Sequence, residues 1–406
     1  MLMRFGWVAS LLAVVSVCFW TSCGGSYSSS TPASSATTAM YVAAQGSGQV
    51  FGFRSAASNG VLSGINGSPY AAGSDASAIV VDPNHTFALV LSPTDPDTAN
   101  QVTGTISRYT INADGSLAAV TPKQDVLRTG SAVVGPVAMA MDSAGKFLFV
   151  ANQGIPNDPT TSGISVFSIG SNAGLTEVPG SPFVFLPSAN PVLISSTTSD
   201  AVALAAAPGG SHFLYVVNAS VPNQANGQVS IFQFDGTTGA LSTVTGQPGL
   251  QVGTTPAAVA ISPGGEFLFV PNFGSNNVDA FTIAAGSGGL TPVTGTPFPA
   301  QTGPTAAAVD PSGQFLYVVD QNSNQVSGYR ITPVNGKLTP LSSSPYSTGI
   351  APVSIAISPT NKYLYVSNNA ANTISGYSID PASGNIGPIQ GAVSTGTSPA
   401  GIAFGK

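Results

Sequence analysis

Seven polar side chains recur at one point of a repeated pattern: Gln45, Ser92, Asn152, Asn218, Asn272, Asp320 and Asn368 each close a short apolar run. A ring of amide and carboxylate oxygens could hold Ca2+ or a hydroxylated ligand, since both are recognised by converging neutral or anionic oxygens. Asn and Asp at such points also cap turns by bonding nearby backbone, and the sequence leaves both readings open. Asp95 and Asp97, in Thr94-Asp95-Pro96-Asp97-Thr98, form a second, weak calcium candidate. Groups for acid–base chemistry are scarce. There are two histidines, His85 and His212, each in a Gly/Pro/Asn/Ser turn, and two glutamates, Glu177 and Glu266. Zinc-ligand spacing, a phosphate-binding loop and a Gly-x-Ser-x-Gly elbow are all missing from the sequence.

The elements that must carry these residues are best read in Thr305 to Tyr329. Ala306 to Val309 is a short apolar run, Asp310-Pro311-Ser312-Gly313 is turn chemistry, and Phe315 to Val319 is aromatic and β-branched. Val326 to Tyr329 alternates as a third strand. The aromatic run recurs at Met40, Phe87, Phe147, Phe213, Phe267, Phe315 and Tyr363, and the last three starts are 48 residues apart. That period fits four short antiparallel strands, here A (Ala-rich), B (aromatic), C and D, with Leu338 to Leu341 as one D. The Ala-rich run also occurs seven times, at Ala78, Ala138, Ala203, Ala258, Ala306, Ser354 and Gly401. The first aromatic run has no Ala-rich run before it and the last Ala-rich run has nothing after it. The two ends therefore complete one blade, which predicts an all-β ring of seven four-stranded antiparallel blades over 40–406, closed by pairing of the N- and C-terminal strands.

Strand A is small because innermost strands converge on an axis, and strand B is continuously apolar because neighbouring blades cover both of its faces. In such a meander the A–B and C–D turns share one face, and the B–C and D–A loops share the other. The B–C step is short after Asn272, Asp320 and Asn368 and long after Ser92, Asn152 and Asn218. A D–A insertion falls between Leu175 and Pro208. All the extra length lies on one face. This loop-rich face is the candidate binding surface, with Asp95, Asp97, Asn152, Asp158, Asn218, Asn272, Asp320 and Asn368 as its polar residues. Pro93 to Thr105, Gln153 to Gly163, Ser181 to Asp200 and Ala219 to Gln228 would form one contiguous surface, with contacts from Phe183, Phe185 and Leu186.

Charged residues are only 6% of the chain, against about 25% in an average domain. Lys+Arg 10 against Asp+Glu 16 gives a net charge of -6 without any basic cluster, which excludes a nucleic-acid partner. Arg4 followed by an apolar Val8 to Val17 and by Thr21-Ser22-Cys23 resembles a bacterial lipoprotein signal, which implies a signal peptide over 1–22 and lipidation of Cys23. An ordinary secretory signal cleaved nearby is the other reading. Residues 23–39 are Ser/Thr-rich and read as a tether, so the only membrane contact expected is through the lipid anchor. Cys18 lies within the signal, which leaves no cysteine pair for a disulfide.

The run Ile355-Ala356-Ile357-Ser358-Pro359, continued through Lys362-Tyr363-Leu364-Tyr365-Val366-Ser367-Asn368, resembles the YVTN and lactonase-type seven-bladed β-propellers. That family includes propeller 6-phosphogluconolactonases and bacterial surface proteins. The resemblance implies His, Arg and Glu lining a central pocket, and no catalytic residue of that kind carries over. Arg54, Arg108 and Arg330 fall on or just after C strands, and only Arg128 approaches the loop-rich face. The expectation is an exported, envelope-anchored scaffold without a cofactor, save possible Ca2+, which binds a protein, glycan or small molecule. The alternative is a lactone hydrolase or cycloisomerase.

Overall fold

The computed structural model describes residues 37–93, 104–126, 135–153, 162–184, 201–218, 226–244, 246, 249–389 and 391–405. Within them the chain forms seven antiparallel sheets, each running A–B–C–D from the axis outward. A strands of successive blades lie side by side around the axis. Blade 6 shows the unit: A is Pro304–Val309, B is Phe315–Asp320 and C is Gln325–Ile331. D is broken into Leu338–Pro340 and Tyr346–Ser347, and both pieces pair with C. Six blades share this broken outer strand, a detail the sequence reading had merged into one strand. Blade 2 keeps an unbroken D, Leu117–Asp125.

Blade 1 joins the chain ends: C-terminal Pro399–Phe404 pairs with N-terminal Thr38–Ala44, with Met40 opposite Phe404 and Val42 opposite Ile402. The expected ring closure is therefore present. The apolar core is divided among seven clusters, one at each seam between blades. In blade 6, Phe315, Tyr317 and Val319 enter the seam with blade 7, whereas Leu316 and Val318 enter the seam with blade 5. Strand alternation on a sheet covered on both faces thus accounts for the uninterrupted apolar run.

Convergence at the axis restricts the third A-strand position to Ala78, Ala138, Ala258, Ala306, Ser354 and Gly401 in the blades whose side chains are described. At Gly401 an added Cβ would lie 3.0 Å from the Ser77 carbonyl oxygen, and the Gly401 amide already donates to that oxygen at 2.9 Å. In blades 2, 3, 5, 6 and 7 the A–B turn is held by an Asp or Ser side chain that accepts two amides, whereas blade 4 has Ala207 there. Asp310 accepts from Gln314 (2.8 Å) and Phe315 (2.7 Å), and Ser358 accepts from Lys362 (3.2 Å) and Tyr363 (3.0 Å).

The seams are also stitched by tyrosine. Tyr365 in strand B of blade 7 donates to the Gly60 carbonyl in the C–D turn of blade 1 at 2.6 Å and lies 2.6 Å from Ser55 Oγ. Tyr365→Phe should cost about 1–3 kcal/mol, since it leaves buried groups at the closing seam without a partner. Deleting Ser398 to Lys406 should lower the unfolding midpoint far more, because it removes the innermost strand of blade 1. Urea denaturation followed by circular dichroism checks both, and a truncated ring as stable as the parent would refute closure by this strand.

Candidate functional site

The loop-rich face has two unlike halves. In blades 5, 6 and 7 the B–C turn ends in a left-handed asparagine: Asn276, Asn324 or Asn372. Each side-chain oxygen accepts the backbone amide at the start of the next blade, from Gly303 (2.8 Å), Ala351 (2.7 Å) and Ser398 (2.8 Å). These three blades therefore present a tight, tied floor. In blades 2, 3 and 4 the equivalent turn is replaced by the long loops. The bulk of those loops, with Asp95, Asp97, Asp158, Asp200, Arg128, Phe185 and Leu186, lies outside the described residues, as does Cys23. Phe183 is described: it begins the second piece of the blade 3 outer strand and packs, half-buried, on the core of the seam with blade 4.

The polar series that closes strand B is turned into its own blade. Asn152 Nδ2 donates to Ser165 Oγ (3.0 Å) and to the Val150 carbonyl (3.2 Å), and Asn218 Nδ2 donates to Ser230 Oγ (3.1 Å). Asn272 Nδ2 donates to Asp279 (2.9 Å) and Asn277 (2.8 Å). Asn368 Nδ2 donates to Ser375 Oγ (2.9 Å), while its oxygen accepts from Thr348 Oγ1 (2.7 Å) and the Gly349 amide (3.1 Å). In blade 6 the roles reverse, and Ser327 Oγ donates to Asp320 at 2.7 Å. The partner is the third residue of strand C each time. Its signal was present in the sequence, since Asp279, Ser327 and Ser375 each stand seven residues after the series residue in the short-loop blades. In blade 1 the residue at this register is Ala44, paired with Gln49, rather than Gln45, which lies one step on in a 3-10 turn. Ser92 occupies the position in blade 2 and is buried.

The groups suited to acid–base chemistry sit elsewhere. His85, His212 and Glu266 are in A–B turns on the opposite face, with the His212 ring edge-on to Phe234 at 5.1 Å, and Glu177 ends an outer strand. The three described arginines lie in C strands and clip the C–D turn of the next blade. Arg54 donates to the Asp114 carbonyl, Arg108 to Ala173 (3.2 Å), and Arg330 to Ala382 (2.8 Å) while stacked 4.7 Å over the Phe315 ring. Among the described residues no three His, Cys, Asp or Glu side chains cluster as a metal site would require. The charged side chains described near the loop-rich face are the acids Asp75, Asp125, Asp279 and Asp320, together with Lys123, two residues before Asp125 on the blade 2 outer strand.

This architecture agrees with the comparisons. The family model "Lactonase, 7-bladed beta-propeller" matches residues 204–354 and 346–406, half of the chain. The chain belongs to the lactonase family of seven-bladed β-propellers. Among solved structures it is similar to a candidate 6-phosphogluconolactonase of Bacteroides fragilis, at 19% identity and a TM-score of 0.73, covering 93% of this chain and 100% of that one. A candidate 6-phosphogluconolactonase of Bacteroides uniformis gives 20% identity and a TM-score of 0.72, covering 91% and 99%. The periplasmic gluconolactonase of Pseudomonas aeruginosa gives 19% and 0.72, with the same coverage. At these identities the likeness is one of fold. No curated protein matches the chain.

Asp320 differs from its Asn counterparts in carrying a titratable group, and burial pushes its carboxyl from 3.8 up to about 7. The folded state then holds a proton that the unfolded chain has released, so stability falls as pH rises from about 4 to about 7 and is level above that. Asp320→Asn, which installs the residue of blades 3, 4, 5 and 7, should match the parent near pH 4 and exceed it at pH 8 by on the order of 4 kcal/mol. Urea midpoints at the two pH values check this, and an equal gap at both would contradict it.

Proposed function

We propose that the protein is an exported lactonase-family propeller that opens an uncharged, sugar-type lactone at its loop-rich face. The observation that carries this reading is the combination of family membership with a face whose described charged groups are four acids and a single lysine, Lys123. A phosphorylated lactone calls for converging cations, and beside Lys123 the long loops offer only Arg128. In the reaction water adds to the lactone carbonyl, the ring C–O bond breaks, and a hydroxy acid and a proton are released. Asp95, Asp97, Asp158 and Asp200 of the long loops are the candidate bases, and Arg128 is the candidate partner for the oxyanion. Binding of the ring hydroxyls falls to the Asn, Gln, Ser and Thr of the same loops. We assign Cys23 as the lipid-bearing N-terminus and 24–37 as the tether that holds the ring clear of the membrane, since Thr38 and Ala39, expected in the tether, already pair in blade 1.

A second reading, a scaffold that captures a protein, glycan or small molecule without turnover, is favoured by the placement of His85, His212, Glu266 and the three described arginines away from this face. The soluble Cys23→Ser protein separates the two. With glucono-δ-lactone in a pH-stat, proton release above the spontaneous rate and a slower rate on the 6-phospho lactone are expected. Arg128→Ala should lower kcat by roughly 100-fold, the size of effect seen when one oxyanion donor is lost. Turnover no faster than the blank transfers the assignment to the scaffold. In cells, Cys23→Ser should move the protein out of the membrane fraction, and unchanged fractionation and mass would exclude lipidation.

A further inference from the structure

One residue breaks a pattern at the mouth of the channel on the loop-rich face. In blades 1, 3, 5, 6 and 7 the residue after the end of strand B donates its backbone amide to the residue just before the proline that opens its own A strand. Gln45 bonds the Ser398 carbonyl (2.9 Å), Gln153 that of Gly135 (2.7 Å), and Phe273, Gln321 and Asn369 those of Thr255, Gly303 and Ala351 (2.8 Å each). Because the A strands surround the axis, these five residues stand on the inner rim. Four of them carry a side-chain amide, and the fifth is aromatic.

Side chains on this rim run on to the next blade. Asn369 Nδ2 donates to the Pro399 carbonyl, at the start of the blade 1 A strand, at 3.2 Å. The Phe273 ring reaches blade 6 in the same way. There Gly303 has a φ of +72°, and a Cβ added to it would lie 3.0 Å from Phe273 Cε2 and 2.8 Å from Asn322 Nδ2. The ring and the Asn322 amide thus converge over bare backbone. Phe273 is half-buried and belongs to none of the seven seam clusters, so the packing of the blades does not account for it. Beside it Asn322 is exposed, and Gln321 Oε1 is buried without a hydrogen-bond partner.

An aromatic face bordered by primary amides, in a series with no charged member, fits one chemical class. A pyranose ring has an apolar face of axial C–H bonds and a girdle of hydroxyls that both donate and accept. Phenyl covers the first, and amides, which also donate and accept, answer the second. A purely aromatic ligand would leave the amides unpaired, and an ion would find no counter-charge in the series. We propose that Phe273 is the stacking platform of this mouth, on which the apolar face of a neutral sugar ring lies while Gln321 and Asn322 bond its hydroxyls. The inference rests on the sugar-type reading above and deepens it by naming the residue that orients the ring, but it does not require turnover.

Methyl β-D-glucopyranoside serves as the probe, since it presents the ring without a bond that a lactonase opens. Saturation-transfer NMR on the soluble Cys23→Ser protein should show transfer strongest at the axial protons of one ring face, with those protons shifted upfield by the phenyl ring. Phe273→Ala should weaken binding roughly 10-fold, the worth of about 60 Å² of apolar contact. Phe273→Leu, which keeps Gly303 covered, should lose the upfield shift, and Phe273→Trp should keep both shift and affinity. Gln321→Ala should weaken binding about 5-fold, for one hydrogen bond, and leave the shift in place. No transfer to the sugar from the parent, transfer without preference for one ring face, or a Phe273→Leu protein that binds as tightly as the parent would each overturn the assignment. A blank in the pH-stat with stacking intact removes the lactone reading and leaves this one standing, and turnover without any transfer does the reverse.

Discussion

The ring depends on one contact, made where a strand B aromatic meets the C–D turn of the next blade. Tyr41, Tyr215, Tyr317 and Tyr365 donate to the carbonyls of Gly115, Gly288, Gly384 and Gly60 at 2.6–2.8 Å, each across a seam. The residue two before the tyrosine packs on the same turn, and glycine is required there. An added Cβ would come within 2.5 Å of the Tyr363 ring at Gly60 and within 2.6 Å of the Phe213 ring at Gly288, and both glycines have positive φ. A buried hydroxyl satisfied by a buried carbonyl fixes the spacing between neighbouring blades, because either group left alone would carry its full desolvation cost. Where Phe149 and Phe269 replace tyrosine, apolar packing alone does the work: Phe149 lies 5.0 Å from the Phe234 ring of the next blade.

That requirement explains why so little of the chain is free for chemistry. Strand C tyrosines tie the ring in the other direction, with Tyr329 on the Pro299 carbonyl (2.7 Å) and Tyr377 on that of Ser347 (2.5 Å), each in the preceding blade. The described arginines bond turn carbonyls, Asp82, Asp142 and Asp310 close A–B turns, and the Asn series bonds strand C. With 6% charged residues, stitches that other proteins leave to ion pairs are made here by tyrosine and arginine donors on backbone oxygens. The tyrosine bonds, made between uncharged groups, resist salt.

The fold was legible because its causes are local and repeated. Small residues where strands converge and apolar B strands at the seams recur seven times, with turn residues between them, so a single unit such as Thr305 to Tyr329 carried nearly the whole architecture. The direction of a side chain was not legible in the same way. Asn152 and its counterparts are spaced as a ring would be, but whether they face the channel or their own blade depends on the third residue of strand C, which forms a pair only after the B–C turn has closed. The Gln45 assignment slipped for a related reason: blade 1 has alanine at that register, and the nearest polar residue belongs to the following turn. The broken outer strand was missed because Ser-Pro-Tyr reads as an ordinary turn until the hydroxyl is seen standing in for a ladder acceptor.

The two halves of the loop-rich face follow from the same economy. In blades 5 to 7 a single asparagine both turns the chain and bonds the next blade, so lengthening the turn would forfeit the tie as well as the turn. The long steps fall in blades 2 to 4, where a loop can grow at the small entropic cost of its added length. Variation in loop length is thereby confined to one half of one face, while the tied half keeps the ring in register. The buried acids of this scaffold, Asp82, Asp142, Asp279, Asp310 and Asp320, are each bonded within a turn or a blade and leave the packed core of the seams to neutral contacts.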